Sequence, residues 1–96
     1  LWGENSAQKE ESRRIRLQMA PGVAERLEAR RILMEDVQQV IAHAEASGQK
    51  LRHPETGRFR AAFRPRHVTF WVEYAPAGDG FVVYNAYAHR MEVQSP

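Results

Sequence analysis

Six side chains in the second half of the chain are of the types needed for acid–base work on a phosphodiester: Arg58, Arg60, Glu73, Tyr87, His89 and Arg90, with His67 as a second imidazole. Histidine exchanges protons near neutral pH, a carboxylate raises the basicity of a nearby imidazole, and arginine stabilises developing phosphate charge. Trp71 and Tyr87 add rings on which bases stack. These are the ingredients of metal-free ribonuclease chemistry, but no two of them stand at a diagnostic spacing. The competing reading is that one face of any sheet carries such residues, and Thr, Trp and Tyr are ordinary on strands. That reading is preferred, and with it a docking role for His67, Trp71, Asn85, Tyr87 and His89. An exposed indole patch is more often an interface than a catalytic centre. Two histidines on paired strands would also be a start on a metal site, but a third ligand is not evident, and His43 has no partner at metal-binding spacing.

The segment VTFWVEYAPAGDGFVVYNAYAHRM, residues 68–91, must position these groups. It has the alternation of a β-hairpin, with Pro76-Ala77-Gly78-Asp79-Gly80 as the connection. Closing it with Ala75 beside Phe81 places Val72 opposite Tyr84, Phe70 opposite Ala86, Val68 opposite Ala88 and Tyr74 beside Val82. That face is apolar and suits a core. The other face then pairs His67 with His89, Thr69 with Tyr87, Trp71 with Asn85, and Glu73 with Val83. Arg90 falls on the apolar side by alternation, at its edge. Asn85 has a structural alternative, tying a neighbouring loop by hydrogen bonds.

Upstream, Phe59, Ala61 and Phe63 alternate with Arg58, Arg60 and Arg64, which predicts a strand with one apolar and one basic face. Pro65 ends it, Pro54-Glu55-Thr56-Gly57 is a turn, and Lys50 to His53 is a short strand. Leu33, Val37, Val40, Ile41 and Ala44 lie on a single helical stripe, started by Glu35 and Asp36 and stopped at Gly48. Val23, Ala24 and Leu27 predict a shorter helix ending near Arg30, with a break at Arg31 to Met34. Residues 1–20 are polar, with Ile15, Leu17 and Met19 spaced by two. They read as a linker or as a helix from about Ser6, because Glu, Arg, Gln and Lys favour helices. The expected fold is α+β: two or three N-terminal helices packed on a three- to four-stranded antiparallel sheet, with residues 21–96 as one domain.

Composition bounds the rest. Ninety-six residues with 43% hydrophobic content support one domain. The chain has no cysteine, which excludes disulfides, thiolate metal sites and cysteine catalysis within it. No apolar run approaches a membrane span, and the reading is of a soluble, cytoplasmic chain without a membrane partner. Its start at Leu1 suggests a piece of a longer protein. The net charge of +2 hides a basic second half, where Lys50, Arg52, Arg58, Arg60, Arg64 and Arg66 meet only Glu55. Such a cluster attracts phosphates or an acidic protein surface, while the plainer reading is a solvated strand face.

The run Ala24-Glu25-Arg26-Leu27, then Arg31-Ile32-Leu33-Met34-Glu35-Asp36-Val37 with Val40-Ile41, then TFWVEY and VVYNAYAHRM, resembles a C-terminal domain of certain bacterial redox proteins. Their parents are pyridine nucleotide-disulfide oxidoreductases similar to the small subunit of glutamate synthase. The resemblance covers about residues 21–93. It implies a non-catalytic accessory domain whose parent binds FAD, NAD(P)H and iron–sulfur clusters elsewhere and whose partners are other domains or subunits of that protein. No cofactor motif is present here to carry over, neither a Gly-x-Gly-x-x-Gly nor a cysteine. A broader resemblance, of helices followed by an arginine-lined sheet with an aromatic last strand, is to RelE-type toxins. It implies RNA cleavage or binding, with Arg58, Arg60, Tyr87, His89 and Arg90 as candidates by their place in the sheet. The modest net charge argues against nucleic acid as the partner.

Overall fold

Val37, Val40, Ile41 and Ala44 are fully buried along one stripe of a helix spanning Met34–Ser47, as their spacing predicts. Asp36 accepts a hydrogen bond from the Leu33 backbone N–H at 2.9 Å and so closes the helix start. Gly48, at φ 76°, closes its end by donating to the Ala44 carbonyl at 2.8 Å. This helix lies across a sheet in a computed structural model that describes residues 14–64 and 67–90. Ser6, Pro65 and Arg66, on which a helix start, a strand end and part of the basic cluster were expected, lie outside the described residues.

In chain order the elements are β1 (Leu17–Met19), α1 (Val23–Ala29), α2 (Met34–Ser47), β2 (Leu51–Arg52), β3 (Phe59–Phe63), β4 (Val68–Ala77) and β5 (Gly80–Arg90). The strands form one sheet in the order β1-β5-β4-β3-β2. The class is α+β, with two helices among the described residues. The sheet differs from the expected one in having five strands and in being mixed: β1 runs parallel to β5, and the other pairings are antiparallel.

The parallel edge strand corrects the reading of residues 17–19 as linker or helix. Ile15, Leu17 and Met19 pack on the core at the period of two that belongs to a strand. Glu, Arg, Gln and Lys favour helix only weakly, and burying those three apolar side chains outweighs that preference. Phe81 N–H donates to the Arg16 carbonyl and Ala20 N–H to the Val83 carbonyl, both at 2.9 Å. Gly80 is required for this approach, because a Cβ there would lie 2.3 Å from the Arg16 carbonyl oxygen.

The break between the helices is a Schellman motif. Ile32 N–H donates to the Leu27 carbonyl and Arg31 N–H to the Glu28 carbonyl, with Leu27 and Ile32 both buried. Arg31 takes the left-handed conformation, φ 58°, where glycine is usual. The core between helices and sheet also holds Val23, Ala61, Val72, Tyr74, Val83 and Ala86.

Candidate docking face

The hairpin closes more tightly than expected. Ala77 pairs with Gly80, so Gly78 and Asp79 alone make the turn, with Gly78 at φ 59°. Lengthening both strands at the turn moves the register by one residue, and an extra residue in β5 at Tyr84 moves it by one more in the half of the hairpin beyond it. Thr69 therefore faces His89, Trp71 faces Tyr87, Glu73 faces Asn85, Phe70 faces Ala88 and Val72 faces Ala86. A shift of two preserves faces, so the open side still collects Thr69, Trp71, Glu73, Tyr87 and His89. The expected partners are nevertheless replaced: His67 precedes β4 and does not pair with His89.

A bulge between Glu73 and Tyr74 changes the near half of the hairpin. Tyr74 pairs with Val83, which leaves Tyr84 as an extra residue in β5. Val83, expected opposite Glu73 on the open face, is fully buried in the core. Tyr84, expected in the core, is half-buried on the other side, its ring 3.7 Å from the Arg58 guanidinium carbon. Burying the aliphatic Val83 at this position spares the core a second phenol beside Tyr74, and Tyr84 gains a cation over its ring.

At the centre of the open face, Trp71 and Tyr87 form a stacked pair with centroids 6.2 Å apart and planes within 14°. Ala62 lies beside Trp71 on β3. Arg58 Nη1 donates to Glu73 Oε1 at 3.1 Å, so this arginine is held by a carboxylate and a ring together. Arg60 is exposed and pairs in register with Glu73. His89 and His67 are exposed. Arg90 pairs with Val68 in backbone register, away from the Trp71 row.

Asn85 is held structurally. Its Oδ1 accepts from Ala86 N–H at 3.0 Å and from Arg30 Nη1 at 3.1 Å, while the same Arg30 Nη1 donates to the Ala86 carbonyl at 2.7 Å. Arg30 and Tyr84 are the site residues that sequence alone did not supply. Arg30 is directed here by the Schellman turn and Tyr84 by the bulge, and neither feature has a local sequence signal.

The arrangement separates the groups that acid–base catalysis needs together. Glu73 lies four residues along β4 from Thr69, the partner of His89, which is roughly 13 Å of extended chain. Glu73 is engaged with Arg58 instead. Among the described residues no three His, Asp or Glu side chains gather as a metal site. His43 packs on Phe63 with centroids 4.7 Å apart. No family model, curated protein or solved structure matches this chain.

Proposed function

We propose that this chain is a non-catalytic interaction domain that docks, through the open face of its sheet, onto another domain or subunit of a larger redox protein. The observation that carries the reading is the stacked Trp71–Tyr87 pair at the middle of a face whose polar neighbours are already engaged with one another. Rigid aromatic side chains surrounded by polar ones are the usual anchors of protein interfaces. Among the described residues the arginines Arg58 and Arg60 of this face meet one carboxylate, Glu73, and the imidazoles of His67 and His89 lie at its border. An acidic partner surface complements that balance.

The resemblance to the C-terminal domain of glutamate synthase-like oxidoreductases supports the redox parent. In that setting FAD, NAD(P)H and iron–sulfur clusters are held elsewhere, since this chain offers no cysteine to ligate a cluster. A second reading, RNA binding or cleavage, is favoured by the same two rings and by the arginines of β3. The distance along β4 between Glu73 and the His89 row weighs against its catalytic form.

Replacing Trp71 and Tyr87 together by alanine should leave the circular dichroism spectrum in place and abolish association with the remaining domains of the redox parent in co-sedimentation. Unchanged association would overturn the docking reading. RNA incubated with the wild-type chain should remain intact. Specific cleavage that disappears on His89→Ala with Arg90→Ala would install the ribonuclease reading in its place.

A further inference from the structure

β1 covers β5 only at Phe81–Val83, whereas β5 runs on to Arg90. The Phe81 N–H and the Val83 carbonyl point toward β1. The extra residue Tyr84 then shifts the alternation, so that Ala86 turns its N–H and carbonyl to that same side, where Asn85 Oδ1 and Arg30 Nη1 occupy them. By the period of two, Ala88 turns the same way. Among the described residues no strand lies beside it. Proteins normally blunt such an edge with charge, proline, a bulge or a cover. Arg30 and Asn85 do this at Ala86, but exposed Ala88 carries only a methyl group.

We infer that the β5 edge at Ala88 takes an extended acidic segment of the partner as an additional strand; this rests on the docking reading and names the partner's chemistry. The choice of occupant follows from charge. Arg30 sits over the edge and Arg31 follows it exposed, and of the two carboxylates of α1 Glu28 is the nearer in sequence to this pair, with Glu25 a turn earlier. A second copy paired here about a two-fold axis would bring Arg30 and Arg31 of both copies onto one border, which repels. A strand with carboxylates on its helix side and apolar residues beside Tyr87 meets opposite charge on one face and a ring on the other.

The test uses fluorescein-labelled peptides of about seven residues, alternating glutamate with valine or lysine with valine, added to the whole chain. The glutamate peptide should bind saturably, and the lysine peptide about tenfold more weakly or not at all. Ala88→Pro removes the outward N–H and should abolish binding. Ala88→Glu keeps that N–H and the fold but repels an acidic strand, and should weaken binding about tenfold. Equal binding of the two peptides, or binding indifferent to both substitutions, would overturn the inference. So would a dimer in sedimentation that Ala88→Pro dissociates, which would give the edge to a second copy. Should the edge fail while the Trp71 and Tyr87 double variant still abolishes association, strand addition falls alone; an association indifferent to that double variant undoes the docking reading itself.

Discussion

Arg58 lies with its guanidinium carbon 3.7 Å from the centre of the Tyr84 ring, and this contact marks the side of the sheet to which the β5 bulge sends Tyr84. The neighbouring Val83 goes to the core instead. Val83→Ala should therefore destabilise the fold by about 2 kcal/mol, from lost apolar burial plus a residual void. Arg58→Ala should cost about 1 kcal/mol or less, since its ion pair with Glu73 is partly exposed and screened by salt. Denaturant unfolding of both variants checks the order; a costlier loss at Arg58 than at Val83 would contradict the bulge.

How far this was legible in the sequence differs along the hairpin. The alternation of Phe59, Ala61 and Phe63 and of Phe70 and Val72 assigns the far half correctly, because a two-residue register error leaves faces unchanged. The near half goes wrong at Tyr84, since alternation carries no mark of an inserted residue and the five Pro-, Ala-, Gly- and Asp-type residues do not state where a turn begins. Leu17 and Met19 have strand spacing, yet a parallel edge strand has no hairpin turn to announce its partner. Alternation places Trp71 and Tyr87 on one face but gives them other cross-strand neighbours than each other. Arg30 was invisible because its reach depends on the tertiary placement of α1.

Tyr74 is fully buried and donates its O–H to Glu45 Oε2 at 2.8 Å, while Lys50 also bonds that carboxylate. Burial, then the hydrogen bond to and charge of Glu45, push the phenol well above its ordinary value. Burial alone would raise the Glu45 carboxyl, but hydrogen bonds from Lys50 and Tyr74 and the Lys50 charge hold it below the usual range. The signs follow. The raised Tyr74 contributes stability that is present below about pH 10 and lost as pH rises beyond it; the depressed Glu45 contributes stability present above about pH 4.5 and lost as pH falls through its folded value. Tyr74→Phe should cost about 1 kcal/mol at neutral pH, remove the Tyr74 contribution to the alkaline decline and weaken the acid one, as measured by thermal unfolding against pH. An alkaline limb identical to wild type would contradict this linkage.

Arg31 holds a positive φ that favours glycine. Arg31→Gly should raise stability by about 0.5–1 kcal/mol, the relief of left-handed strain being partly offset by a freer unfolded chain. A loss of stability would show that the Arg31 side chain contributes more than its backbone costs. The check is the shift in denaturant midpoint.

The most direct test of the docking face is hydroxyl-radical footprinting of Trp71 and Tyr87 in this chain alone and in the complete redox protein proposed to contain it. Both rings should be strongly protected in the complete protein, with Leu33 and Met34, exposed on the helical side, labelled as before. Equal labelling of Trp71 and Tyr87 in the two samples would contradict it.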